Sequence, residues 1–289
     1  MPTHPDQSRR AARRETQIAF ILLLPAMLVV GILLLVPLAW LAFQSVRSDG
    51  GFTLAHYARF IDDEAYWRSF LQTFRIAFLV TVVCVLLGYP VAYLASQMPK
   101  RWSVIVLALV ILPFWTSVLV RAYAWMILLQ RTGLINSMLM STGLTSDPLP
   151  LVNNEFGVVM ATTHILLPFI VLPLYATMQK IPPELSMAGA SLGAAPPEVF
   201  MRIFLPLSLP GLIAGMVLVF VLTLGFYITP ELLGGGRTYM VSMLVSLNIN
   251  VYNEWGAASS ISVVLVACVF IIFRLISFIV PFERIMGTR

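Results

Sequence analysis

Long apolar runs separated by short polar clusters organise this chain from end to end. Six of the runs reach the roughly 20 apolar residues that a helix needs to cross a hydrocarbon core. They fall at Ile18–Phe43, Phe70–Ala95, Val104–Leu129, Val158–Met178, Leu207–Ile228 and Ser260–Pro281. No series of short segments alternates with period two, which argues against a β-barrel. Pro25, Pro90, Pro113, Pro168 and Pro173 lie inside or beside the runs. Kinks are expected there, because membrane helices tolerate proline when neighbours satisfy the freed carbonyls. The predicted class is an all-α membrane protein of about six transmembrane helices. Residues 18–289 form the membrane domain, behind a basic segment at 1–17.

Composition supports that class. The chain is 59% hydrophobic and 11% charged, with mean hydropathy +0.91, against about 25% charged residues in soluble domains. A soluble fold of 289 residues lacks the polarity to cover its surface at this composition.

The placement of Arg and Lys then gives an orientation. Arg9, Arg10, Arg13 and Arg14 precede the first run, and Lys100 and Arg101 follow the second. Lys180 and Arg202 flank the stretch after the fourth, and Arg284 and Arg289 end the chain. The alternate loops dilute Arg47, Arg59, Arg68, Arg131 and Arg237 with Asp49, Asp62, Asp63, Glu64, Asp147, Glu155, Glu231 and Glu254. The positive-inside rule puts both termini and the 180–206 loop in the cytoplasm. The net charge of +5 follows from that topology and does not suggest nucleic acid. The first apolar run, about 26 residues, is longer than a signal-peptide core of 7–15 and is expected to stay as a span. Cys84 and Cys268 both fall in mid-span, as small apolar residues rather than a disulfide framework.

Much chemistry is missing. Lys100 and Lys180 follow no glycine loop, so there is no phosphate-cradling motif. His4, His56 and His164 lack metal-ligand spacing, and no metal site is expected. His164 lies within a span, where helix packing is favoured over a proton relay. No span carries an evident Asp or Glu of the kind ion-coupled transporters use. Energy must then come from a partner, or the chain is a passive channel.

The stretch Ile181–Pro206 bears on that choice. Pro182 and Pro183 suit a helix start, and Ser186, Ala188, Gly189 and Ala190 let another surface approach closely. Gly193 suits a left-handed cap, Pro196-Pro197 a second start, and Phe200, Ile203 and Phe204 an apolar side. An interfacial helix resting on lipid would carry basic residues on its polar face. Glu184–Phe200 has none, which favours docking to a protein.

The spacing from 187 to 206, with Gly193 and Ile203-Phe204-Leu205-Pro206, resembles the EAA loop of ABC importer permeases. The triplet reads Met187-Ala188-Gly189, so the namesake Glu is absent, while Glu184 matches an acidic residue that often precedes it. Further segments are similar to permeases of the spermidine/putrescine type. They are Gly88–Tyr93, Leu112–Met126, Gly133–Asn136, Thr229–Gly236 and Asn253–Ala258. The resemblance implies a type I ABC importer permease fold with a cytoplasmic coupling helix, in a bacterial inner membrane. It implies an ABC ATPase dimer that carries ATP and Mg, with no cofactor in this chain. A second, often nonidentical, permease subunit and a periplasmic or extracytoplasmic solute-binding protein complete the assembly. The implied ATPase-coupling residues are Glu184, Ser186, Ala188, Gly189, Ala190, Gly193, Phe200 and Arg202.

Trp115, Tyr123, Trp125 and Tyr227 are candidates for an aromatic wall suited to cations, or else for lipid-interface anchors. Arg121 is expected at the mouth or paired with Glu231, which itself is placed to attract cations. Gly234, Gly235 and Gly236 permit tight turns at a binding-protein contact, or a flexible linker. A polyamine is the expected solute, with another small organic solute, amino-acid-like, opine or other carboxylate, as the alternative. An ion-coupled secondary transporter would show inverted repeats, and a channel or scaffold would not need the 181–206 loop.

Overall fold

The computed structural model describes residues 5–48 and 50–279. His4, Pro281, Arg284, Arg289 and the side chains of Arg9, Arg10, Arg13 and Arg14 lie outside what is described. The long helices are α1 (Pro5–Ser45), α3 (Glu64–Gln97), α7 (Glu155–Met178), α10 (Leu205–Leu224) and α13 (Trp255–Ile279). Between them lie a two-stranded hairpin (Arg47–Ser48 with Gly51–Phe52) and α2 (Ala55–Asp62). Shorter helices are α4 (Lys100–Ile111), α5 (Val118–Leu129), α6 (Leu134–Ser141), α8 (Pro183–Ser191), α9 (Pro196–Val199), α11 (Ile228–Leu233) and α12 (Val241–Asn250).

Among the described residues, six helical segments are long and apolar enough to cross a bilayer. Five correspond to the expected runs. The third does not, because Val104–Leu129 is no single rod. Pro113 ends α4 in a short 3-10 turn, Leu112–Trp115, and a new helix starts at Val118. The proline ring has no N–H to donate and crowds the carbonyl one turn back. The apolar helical stretch that follows runs over Val118–Ser141, interrupted near Gly133. Pro25, Pro90, Pro168 and Pro173 remain inside continuous helices.

The core is a bundle of α3, α7 and α10. Ile76, Val80 and Cys84 of α3 and Ile165, Leu166, Ile170 and Leu174 of α7 pack with Val219 of α10. In lipid the hydrophobic effect does not drive helices together, so close backbone approach through small residues matters more. Gly88 and Gly215 supply it: a Cβ would come within 2.7 and 2.9 Å of Ile170 side-chain atoms. The α3–α7 contact is also ionic at one end. Arg75, a span residue with no evident role in the sequence, forms an ion pair with Glu155, its Nε 3.0 Å from Oε1, and Gln72 donates to the other carboxylate oxygen at 3.4 Å. Outside this bundle, α1 packs on α13.

Candidate functional site

Functional features divide between the two ends of the bundle. At one end, α8 starts at Pro183, where the missing N–H costs nothing, and Glu184 sits in the first turn against the positive end of the helix dipole. The helix stops in a Schellman motif. Gly193 N–H donates to the Ala190 carbonyl at 3.0 Å and Ala194 N–H to the Gly189 carbonyl at 3.2 Å. Gly193 has φ +86°, with no atom near enough to restrict a side chain, so backbone conformation alone selects glycine there. Pro196 then starts α9, and a π turn at Phe200–Phe204 leads directly into α10.

Three predicted coupling residues take roles within the chain. Gly189 is buried, and a Cβ there would lie 2.8 Å from Ile203 and 3.4 Å from Val199, so the surface it admits is the chain's own. Phe200 is half-buried and engaged within the chain. Its ring packs edge-on to Tyr93 at 5.4 Å and Tyr89 at 6.0 Å and stacks on Phe204 at 6.1 Å. The Tyr89 hydroxyl lies 2.9 Å from that of Ser208, so the Gly88–Tyr93 segment anchors the loop. Arg202 pairs with Glu198 at 3.2 Å across one exposed helical turn. Ser186 is half-buried; Glu184, Ala188 and Ala190 are exposed.

The outward apolar groups are others: Leu185, Met187, Met201 and above all Leu192, 89% exposed. Their signal was present as apolar residues interleaved with small ones, but spacing alone did not say which would face out. Met187, in the place of the motif's Glu, is among them. Below α8, a cavity of about 600 Å³ separates the helix from the ends of α3 and α7.

Away from the α8 end, the aromatic set splits. Trp115, 87% exposed, stands at the break between α4 and α5 together with exposed Thr116 and Ser117. Ser117 makes no side-chain cap, so the first amides of α5 lack helical partners. Unpaired backbone at membrane depth is tolerated only where it lines a wet cavity or meets protein. Tyr123 and Tyr227 are also exposed, and Ser246 donates to the Tyr227 hydroxyl at 3.3 Å.

Trp125 and Arg121 instead turn into the chain. Trp125 Nε1 donates to His164 Nδ1 at 3.2 Å, a packing role for this histidine. Arg121 is 7% exposed with Nε unpartnered. Of the two expected places, the pair with Glu231 does not form: α5 carries Arg121 on the buried face, while Glu231 lies exposed in the first turn of α11. Glu231 belongs with Tyr227, Tyr239 and Tyr252; burial first, then the field of these neighbours, pushes the Tyr239 phenol up.

The triglycine is a built turn. Gly235 and Gly236 have φ +57° and +72°, and a Cβ on Gly235 would lie 2.5 Å from that of Asn153. Asn154 N–H donates to the Leu233 carbonyl at 3.1 Å, fixing the two loops together. Nearby, buried Asn136 holds the 142–154 loop, donating to Leu149 O at 3.0 Å and accepting from Leu149 N at 2.8 Å. Among the described residues no group of three His, Cys, Asp or Glu could hold a metal ion.

Comparison with known proteins places this geometry. The family model for the binding-protein-dependent transport system inner membrane component matches residues 85–284. Over 217 residues the chain is 34% identical to the spermidine/putrescine transport system permease protein PotB of Escherichia coli (strain K12), covering 74% of this chain and 78% of that one. It is 31% identical over 259 residues to the inner membrane ABC transporter permease protein YdcU of the same organism, covering 82% and 80%. A solved bacterial alginate ABC transporter, in complex with alginate pentasaccharide-bound periplasmic protein, superposes with TM-score 0.70 at 18% identity, over 90% of this chain and 92% of that one. At that identity the likeness speaks for the fold, which is that of ABC transporter permeases.

Proposed function

The chain belongs to the family of binding-protein-dependent transport system inner membrane components, and from that premise we propose that it is a permease subunit of an ATP-driven importer of polyamines. The observation that carries the reading is α8, a short, locally fixed helix bearing exposed apolar side chains beyond the ends of α3 and α7. Its likeness to PotB over most of the chain supplies the solute class.

In this reading an ATPase pair, which holds ATP and Mg, docks on residues 183–202 from the cytoplasm. Leu185, Met187, Leu192 and Met201 enter the contact, and Glu184, Ser186, Ala188 and Ala190 border it. The chain hydrolyses no ATP itself. Both termini and Lys100, Arg101, Lys180 and Arg202 are cytoplasmic, following the positive-inside rule. A second permease subunit completes the pathway, facing the exposed break at Trp115–Ser117 across a wet space that the cargo enters. A binding protein delivers cargo at the opposite end, near Gly234–Gly236.

Force from the ATPases passes through a stiff connection. Because Ile203 seats against Gly189, and Phe200 and Phe204 seat against Tyr89 and Tyr93, displacement of α8 carries α10 and the end of α3 with it. Closed ATPases thereby bias the pathway toward one of its two openings, the alternating access that such coupling requires. At the outer end, Glu231 draws cations to the mouth, and exposed Trp115 and Tyr123 offer ring faces to an ammonium group.

Uptake of labelled putrescine and spermidine into vesicles tests this. The reconstituted complex accumulates them only with ATP and binding protein, and the purified chain alone shows neither uptake nor ATP hydrolysis. Gradient-driven accumulation by the lone chain contradicts it.

A further inference from the structure

A cavity of about 710 Å³ opens at the end opposite α8, between α2, the start of α3, α12 and the residues leading into α13. Three tyrosines, Tyr66, Tyr239 and Tyr252, line it with the carboxylates of Asp63 and Glu254 and the guanidinium of Arg59. With these three charges the wall carries a net −1. Removing Arg59 from it leaves −2, facing aromatic rings.

Arg59 fills part of this space as a tethered cation. Its Nη1 pairs with Glu254, 195 residues away in sequence, and its guanidinium also meets the Tyr66 hydroxyl. α2 is also clamped to the start of α13: the His56 ring occupies the place a Cβ would take on Gly256. Phe60, on the same helix, packs edge-on to Tyr66 at 5.2 Å and Phe70 at 5.6 Å. Tyr252 stands at the rim, 59% exposed. An alkylammonium ion would take over the contacts that Arg59 makes now, charge to Glu254 and a hydroxyl, and would meet in addition the tyrosine rings that line the wall.

We propose that this cavity is a second binding site for an organic polyamine, separate from the membrane pathway, in which Arg59 is a built-in competitor for Glu254. The choice of ligand rests on the polyamine reading above. An arriving ammonium group takes Glu254, and a second amine reaches Asp63 or the Tyr239 side of the cavity, where Glu231 adds negative field. Cargo released at the outer mouth is thereby held at the transporter instead of diffusing away. Arg59 keeps the hold weak enough for cargo to leave again.

The test is equilibrium binding of spermidine and putrescine to the assembled transporter in lipid nanodiscs, without binding protein. Losing the competitor in Arg59→Gln tightens spermidine binding about two- to fivefold, the free energy of one partly exposed ion pair. Glu254→Gln abolishes that binding. Tyr252→Ala, which removes an exposed rim side chain and leaves the ion pair in place, weakens it about two- to thirtyfold through the lost cation–π contact. Binding by Arg59→Gln that is equal to or weaker than wild type, or wild-type affinity in Glu254→Gln, overturns the proposal. If Arg59→Gln does not assemble, unchanged affinity in Tyr252→Ala overturns it equally. The import reading is read separately, from ATP-driven uptake with binding protein. Uptake that persists while none of the variants alters binding removes this site and leaves that reading standing, whereas wild-type complex that takes up no polyamine strikes the import reading itself.

Discussion

The α8 end and the opposite end of this molecule are built by different means. At the α8 end the helix is shaped locally, and one long-range seat ties it to the bundle: Pro183 starts it, Gly193 stops it, Pro196 starts the next, Ile203 closes back onto Gly189, and Phe200 rests on Tyr89 and Tyr93. The other end is assembled from distant parts of the chain. Arg59 meets Glu254, Asn153 meets Gly235, and Val241 N–H donates to Thr73 Oγ1 at 2.8 Å. The first arrangement makes a stiff lever whose shape survives changes elsewhere in the bundle. The second makes a surface whose geometry changes whenever the helices move. That is the division expected of a transporter driven from one side and loaded from the other.

Breaking the lever has the largest expected effect. Gly193→Pro cannot adopt φ +86° and removes the N–H that caps α8. We expect loss of ATPase co-purification and of uptake, with the chain still at normal abundance in the membrane by quantitative blot. Wild-type assembly and uptake would exclude residues 183–204 as the dock. On the other side of the comparison, Trp115→Ala removes an exposed ring at the helix break and leaves assembly intact. Apparent affinity for spermidine in uptake assays falls about two- to thirtyfold if that ring makes a cation–π contact.

How far each end was legible in the sequence follows the same division. The turn residues of the 181–206 loop carry their meaning in their own backbone preferences, so the two short helices and the cap were readable. The direction of Phe200 was not, because that depends on Tyr89 and Tyr93 from another helix. Nor was the outward set that includes Leu192. Five spans were readable from apolar length. The third misled because Val104–Leu129 stays apolar straight through the break, and Pro113 looked like the prolines that helices here absorb. Arg75 and Arg121 show the limit for charges. Arg75 had a partner, Glu155, at the start of another helix, whereas for Arg121, expected at the mouth or paired with Glu231, that second alternative does not form.

Smaller effects sharpen the picture of the loading end. Glu231→Gln lowers uptake about two- to threefold at low ionic strength and has little effect in high salt, where the Debye length shrinks to a few ångströms. A salt-independent loss would point to direct contact instead of steering. The smallest change concerns the Arg59–Glu254 pair. The side-chain hydrogen bond and charge of Arg59 hold the Glu254 carboxyl below its ordinary range. Its contribution is therefore complete above the unfolded carboxylate pKa and is lost only as pH falls through the depressed folded value. Hydrogen-exchange protection of α2 should stay level from neutral pH down to that range and decline below it. A decline already near neutral pH would contradict this assignment to Glu254.

The central claim is that α8 drives the pathway through the seat of Phe200 on Tyr89 and Tyr93. Spermidine taken up per ATP hydrolysed, measured in the reconstituted complex carrying Phe200→Ala, tests it most directly. The lever account predicts that the ATPases still assemble and hydrolyse ATP while uptake per ATP falls several-fold, because α8 then moves without carrying α3. A complex with Phe200→Ala that transports at the wild-type ratio would contradict it.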